Sequence, residues 1–153
     1  MTIEFGFSFP AGPRPGAPER FLGDVDRHRA AIERQFASLW MTDHFFWDAA
    51  PTHEAWTVMA YLAARYPALK VGPMVLGQSY RNPAVLAKMA ATLQDLSGGR
   101  FIMAIGAGWK EDEYHAYNIP FPSLRTRLEE LEPTLEILKR LWTEPGKVTY
   151  HGK

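Results

Sequence analysis

The chain has 153 residues, 46% of them hydrophobic, enough to bury a real core in one ordinary domain. Lysine plus arginine and aspartate plus glutamate number 17 each, so no charge excess points to nucleic acid or an anionic membrane surface. Cysteine is absent, which excludes disulfides, thiolate metal sites and thiol catalysis. No apolar run has the length of a membrane span and no leader-like segment opens the chain, so it reads as a soluble, cytoplasmic protein.

Ile3 to Phe9 alternates apolar with polar or small residues and is rich in aromatics, which predicts a strand. Pro10 to Pro18 holds four prolines and two glycines and reads as a loop. Pro18 suits the first position of a helix, in which Leu22, Val25, Ile32 and Phe36 recur at helical spacing to about Ala37. Ser38 to Thr42 forms a second strand that delivers Asp43-His44-Phe45-Phe46-Trp47-Asp48 at its C-terminal end. After a loop through Pro51, Thr52 is positioned to cap a helix reaching Tyr66. Leu69 to Leu76 is a third strand, made irregular by Pro73, which has no N–H for a ladder. Asn82-Pro83 then pairs a cap with a first-turn proline, and Leu86, Met89, Ala90, Leu93 and Leu96 mark the buried stripe.

Gly98 and Gly99 can take the left-handed conformation that closes this helix. The apolar run Phe101 to Ile105 predicts a fourth strand, covered on both faces. Gly106-Ala107-Gly108 then permits a tight turn and a close approach of backbone to a planar ligand. Lys110 to His115 reads as a short helical turn and Asn118 to Pro122 as a loop. Ser123 caps a last helix striped by Leu124, Leu128, Leu131, Leu135, Leu138 and Trp142, with a kink or break expected near Leu131 because Pro133 lies inside it. Val148-Thr149-Tyr150 suggests the start of another strand.

Strand and helix alternate four times, which implies parallel strands with right-handed crossovers. The α/β closure is either an open doubly wound sheet or half of a (β/α)₈ barrel, whose full form takes about 250 residues. In both, ligands sit at the C-terminal strand ends. Here those ends carry Phe9, Asp43-His44, Met74 to Gln78, and Gly106 to Trp109.

A histidine on such a rim can act as general acid or base near neutral pH; a hydrogen-bonded structural histidine is the alternative. Asp43 need not pair with it, since neighbours on a strand point to opposite faces. The glycine turn is either a surface for a flat ring or a plain tight turn. A dinucleotide or phosphate loop is rejected, because Glu111 stands where a third glycine is needed and Glu111-Asp112-Glu113 would repel phosphate. Phe45, Phe46, Trp47 and Trp109 are pocket wall or core packing. Asp48, His53, Glu54 and His115 lack metal-ligand spacing, so no metal is expected. The absence of a G-x-S-x-G elbow weighs against a hydrolase.

Several stretches together resemble the luciferase-like monooxygenase superfamily, in particular its coenzyme F420- or FMN-dependent oxidoreductases. These are Ser38 to Phe45, Val71 to Leu76, Tyr80 to Leu93, Ser97 to Phe101, Gly106 to Trp109, and Asn118 to Pro122 with the helix that follows. The resemblance implies a TIM barrel with a flavin or deazaflavin ring on its C-terminal rim and a small-molecule substrate. It places that ring against a bulge in the third strand, where a non-proline cis peptide falls near Met74-Val75. Cofactor contacts would come from Met74, Val75, Leu76, Gly106, Ala107, Gly108 and Trp109. His44 matches the family's rim histidine, with Asp43 beside it as a second catalytic candidate, and Phe9, Phe46 and Trp47 would line the substrate pocket. Some sugar-phosphate dehydrogenases of the family carry a glutamate where Trp109 stands, so that substrate is not expected. The chain reads as one luciferase-like domain over residues 1–153 that stops after about the first four β-α units. It is accordingly expected to form a homodimer or pair with a missing barrel half. A non-catalytic flavin-binding or assembly module is the alternative to an enzyme.

Overall fold

A computed structural model describes residues 3–13, 16–17 and 20–151. Its elements run β1 (Gly6–Ser8), α1 (Arg20–Gln35), β2 (Ser38–Met41), α2 (Ala55–Arg65), β3 (Lys70–Pro73), β4 (Leu76–Gly77), a single 3₁₀ turn (Gln78–Tyr80), α3 (Pro83–Leu96), β5 (Ile105–Gly106), α4 (Glu111–Ala116) and α5 (Leu124–Thr143). The role foreseen for Pro18 falls outside the described residues. Strands β1, β2 and β3 pair in parallel and in chain order. Val71 continues the pairing to Phe101, and β4 to β5, again in parallel. The result is an arc of a (β/α)₈ barrel rather than a doubly wound sheet. Among the described residues no helix is long and apolar enough to cross a membrane.

The third strand is broken, as Pro73 suggested, but the break comes after the proline. Pro73 still pairs with Met41; the Met74-Val75 peptide bond is cis. Between the Val71–Phe101 and Leu76–Ile105 pairs the third strand spends one residue more than its neighbour. That extra residue is a bulge, which re-aims side chains at a strand end. The fourth strand is also shorter than its apolar run suggested. Only Phe101 and β5 pair, and Ile102 to Ile105 are half-buried rather than covered on both faces. Among the described residues no strand lies beyond this edge.

The core lies between the arc and its helices. Leu39, Met41, Val71 and Leu76 meet Val25 and Ile32 of α1, Met59 and Leu62 of α2, and Leu86, Ala90 and Leu93 of α3. In α1, Phe21 packs against the core and Leu22 is exposed. Leu96 is exposed because it lies roughly 80° round α3 from Leu86, at about 100° per residue. Asn82 accepts from the backbone N–H groups of Ala84 and Val85 as the cap of α3. Helix α2 is capped not by Thr52 but by Glu54, whose carboxylate reaches two N–H groups where the Thr52 hydroxyl bonds the Ala50 carbonyl.

The last helix departs most from expectation. It runs unbroken over 20 residues through Pro133. The carbonyl that Pro133 leaves without a donor belongs to Glu129, on the exposed face where water can serve it. Its apolar stripe is largely uncovered: Leu124, Leu128, Leu135 and Trp142 are exposed, and only Leu138 is buried. Arg127 and Thr134 take the inner face because polar partners wait there. Thr134 donates to the Gln78 side chain at 3.2 Å, and the Arg127 guanidinium lies 3.9 Å over the Phe121 ring. Residues 148–150 form no strand.

Arg100 closes the junction between α2 and the fourth strand. After Gly98 and Gly99 turn the chain with φ of 65° and 85°, its guanidinium donates to the carbonyls of Ala63, Tyr66 and Leu69. Two of these lie at the α2 terminus, where no intrahelical donor remains. Arg100→Met should therefore cost about 1.5–3 kcal/mol, the range for hydrogen bonds involving a charged group. Urea unfolding reads this as a lower midpoint; an unchanged midpoint would contradict it.

Candidate active site

The chain turns away from the sheet after Met41, and Asp43 and His44 part company there. The Asp43 carboxylate points inward, almost fully buried. It accepts from both terminal nitrogens of Arg81, at 2.7 and 2.9 Å, and from the Gly77 backbone N–H at 2.9 Å. Arg81 also donates to Glu54, the cap of α2. Burial opposes the Arg81 charge, but Asp43 and Glu54 more than restore it. Burial likewise works against ionisation of Glu54, yet hydrogen bonds from Thr57, Trp56 and Arg81 hold its carboxyl below the ordinary value. Asp43 thus locks β2, β4 and α2 together and makes no bond to His44.

His44 faces the rim. Its Nδ1 lies 2.9 Å from Oε2 of Glu113 on α4. Its Nε2 has no hydrogen-bond partner among the described residues. The imidazole is held edge-on by Trp47 and Trp109, with ring centres 5.2 and 5.7 Å away.

Glu113 is fully buried. Oε1 accepts from the backbone N–H groups of Phe45 and Phe46, at 2.8 and 3.1 Å, and Oε2 from the Tyr80 hydroxyl at 2.9 Å. Burial and this contact with the carboxylate hold the Tyr80 phenol far above its ordinary range. Sequence reasoning missed Glu113, reading it as part of an acidic turn, and gave Tyr80 no role of its own. The available signal was a carboxylate in the first helical turn after a glycine-rich strand end, directly before an aromatic residue.

The remaining candidates divide clearly. Met74, Val75, Trp47 and Trp109 are large apolar side chains left 48–64% exposed on the rim. Gly106 lies beneath Val75, close enough that a Cβ there would come within 3.0 Å of its Cγ2. Ala107 is half-buried in the turn. Gly108 has φ 76°, and a Cβ would collide with the Tyr114 hydroxyl. Phe46 lies under Lys110, whose ammonium is 4.3 Å from the ring centre and paired with Asp112 at 2.6 Å. Two of the candidates lie deeper than the rim. Leu76 is fully buried, so it belongs to the core rather than to the exposed rim. Phe9 is also buried, among Phe7, Phe21 and Tyr66, and lines a cavity between β1 and α1 with Val25 and Ile32. Phe45 is sandwiched between Tyr80 and Tyr117. His53 packs on Phe21 and His115 pairs with Glu111. Among the described residues no cluster could hold a metal ion.

The sequence matches the luciferase-like monooxygenase family over residues 2–153. It is 36% identical over 129 residues to the F420-dependent glucose-6-phosphate dehydrogenase of Kineococcus radiotolerans, covering 80% of this chain and 37% of that enzyme. It is 32% identical to the phthiodiolone/phenolphthiodiolone dimycocerosates ketoreductase of Mycobacterium bovis, over 96% of this chain and 38% of that one. Among solved structures, the monooxygenase RslO1 from Streptomyces bottropensis is similar with a TM-score of 0.80 at 25% identity, over 99% of this chain and 46% of that one. The coenzyme F420 dependent tetrahydromethanopterin reductase from Methanopyrus kandleri shares the fold, with a TM-score of 0.72 at 22% identity over 99% of this chain and 43% of that one. The chain spans less than half the length of the curated relatives it matches.

The Asp43–Arg81 pair yields a direct test. Arg81→Met leaves a buried carboxylate without its counter-charge, which costs about 3–5 kcal/mol. Chemical denaturation should show that loss. A loss below about 1 kcal/mol, the worth of an exposed ion pair, would mean that the pair is not buried as described.

Proposed function

The chain belongs to the luciferase-like monooxygenase family, and we propose that it forms the cofactor-facing part of an F420- or FMN-dependent oxidoreductase acting on a small molecule. The observation that carries this reading is the pairing of a rim histidine with an uncovered apolar shelf. Trp109 stands against His44, whose Nε2 has no partner among the described residues, and Met74 and Val75 are exposed at the end of the third strand, with Val75 over Gly106 of the same glycine turn. Exposed apolar surface of this kind is expected where a flat ligand docks. The names of the F420-dependent dehydrogenase and the ketoreductase among the relatives support the same chemistry.

In this reading Met74 and Val75, raised by the bulge, and the Gly106 to Trp109 turn hold the ring; Gly106 and Gly108 let it approach the backbone. When bound, F420 or FMN would supply the hydride or electron-pair transfer. The protein's own part is acid–base. His44 Nε2 accepts the proton of a substrate hydroxyl in the oxidising direction and returns it to a carbonyl oxygen in the reducing one. Trp47 and Trp109 confine the imidazole edge and, with Phe46, exclude water from that proton path. Asp43 is committed to Arg81 and Gly77, and through them its role is to hold β2 and β4 in place.

Trp47 and Trp109 make the ring site observable. Adding F420 or FMN to the chain should quench tryptophan fluorescence saturably with one of the two, and Gly106→Val, which crowds Val75, should abolish it. No quenching by either ligand, or equal quenching in the variant, would contradict the assignment. In a form that turns over, His44→Ala should keep binding within about twofold and lower kcat by roughly 10²–10⁴-fold, the usual worth of a general acid–base. Unchanged kcat would remove His44 from the reaction.

A further inference from the structure

His44 offers two nitrogens, and only a defined proton arrangement makes one of them useful. A neutral imidazole carries its proton on Nδ1 or on Nε2, and the partner of one nitrogen decides the state of the other. Nδ1 faces Oε2 of a carboxylate whose Oε1 already accepts from the Phe45 and Phe46 N–H groups and whose Oε2 accepts from Tyr80. Three donors already directed at this carboxyl group favour its accepting form, and the geometry assigns the donor role in the fourth contact to Nδ1, which leaves the lone pair of Nε2 directed away from Glu113.

We propose that Glu113 is a positioning residue for His44, setting its tautomer and fixing its height on the rim. This rests on the reading of His44 as the proton-transferring group. The two tasks are carried out by the two oxygens. Oε1 pins the backbone directly after His44, and Oε2 orients the ring. Tyr80 supports Oε2 from the 3₁₀ turn that follows β4, so the strand that bears the Met74-Val75 bulge is joined to the same carboxylate. His44 and the apolar shelf thereby share one anchor. The groups packed against the imidazole from other elements are the Trp47 and Trp109 rings, which carry no charge and do not compete for Nδ1.

The test is the nitrogen spectrum of His44 in the ¹⁵N-histidine-labelled chain, recorded well above the ordinary imidazole titration range. The chain has five histidines, so the signal is assigned by its loss in His44→Gln. The expected result is a proton on Nδ1 and a bare Nε2. In Glu113→Gln, the carbonyl oxygen of the amide must remain with the two backbone N–H groups, so its NH₂ faces Nδ1 and the tautomer should invert. Tyr80→Phe, which removes a ring substituent but not the carboxylate, should keep the wild-type tautomer. A wild-type proton on Nε2, or a Glu113→Gln spectrum unchanged from wild type, would overturn the proposal. The wild-type result decides even if Glu113→Gln fails to fold. Because no cofactor is added, a negative result here is separate from failure to bind F420 or FMN.

Discussion

A carboxylate with no exposure to water must be compensated by hydrogen bonds or charge, because its desolvation costs several kcal/mol. Glu113 meets that constraint by gathering donors from three places: the backbone just past β2, the His44 imidazole, and Tyr80 beyond β4. These are the C-terminal ends of neighbouring strands. The need to satisfy one buried charge therefore dictates where the rim loops lie. Loops at a sheet end are ordinarily the mobile part of a β/α fold; here they are tied to a single point.

A second polar network stands beneath the first. Asp43, Arg81 and Glu54 join β2, the start of α3 and the N-terminus of α2. The two networks separate the adjacent residues Asp43 and His44 by function. One carboxylate is spent on holding the frame, and the histidine next to it is left with a free nitrogen. The bulge in the third strand and the glycine turn at β5 complete the arrangement by exposing apolar side chains, with Trp109 of the turn set against the His44 ring. Rigid polar anchoring below and uncovered apolar surface above is what a site needs if it is to place a flat group without rearranging.

The sequence was legible wherever local chemistry decides. The Asn82-Pro83 cap, the Gly98-Gly99 helix stop, the third-strand irregularity and the strand-end position of His44 follow from propensity and spacing, and each is present. It was not legible where a partner far along the chain decides. Glu113 lies 69 residues from His44, and no local pattern announces that pairing; nearby Glu111 and Asp112 look the same and are solvated. The same cause misled the reading of α5. Periodicity located its apolar stripe but not what the helix would face, and Gln78 and the Phe121 ring drew Thr134 and Arg127 inward instead. Phe9 and Leu76 sit at strand ends as foreseen, but the facing of each side chain depends on register, which a bulge and a short β1 reset.

The most direct measurement is amide hydrogen exchange at Phe45 and Phe46 in the chain without added cofactor. Both residues lie outside any helix or strand, so a loop free of Glu113 would exchange them quickly. If the buried carboxylate organises the rim, both amides are protected nearly as well as those of β2. Exchange at the rate of an open loop would contradict the account, because the carboxylate would then not be holding the backbone that carries His44.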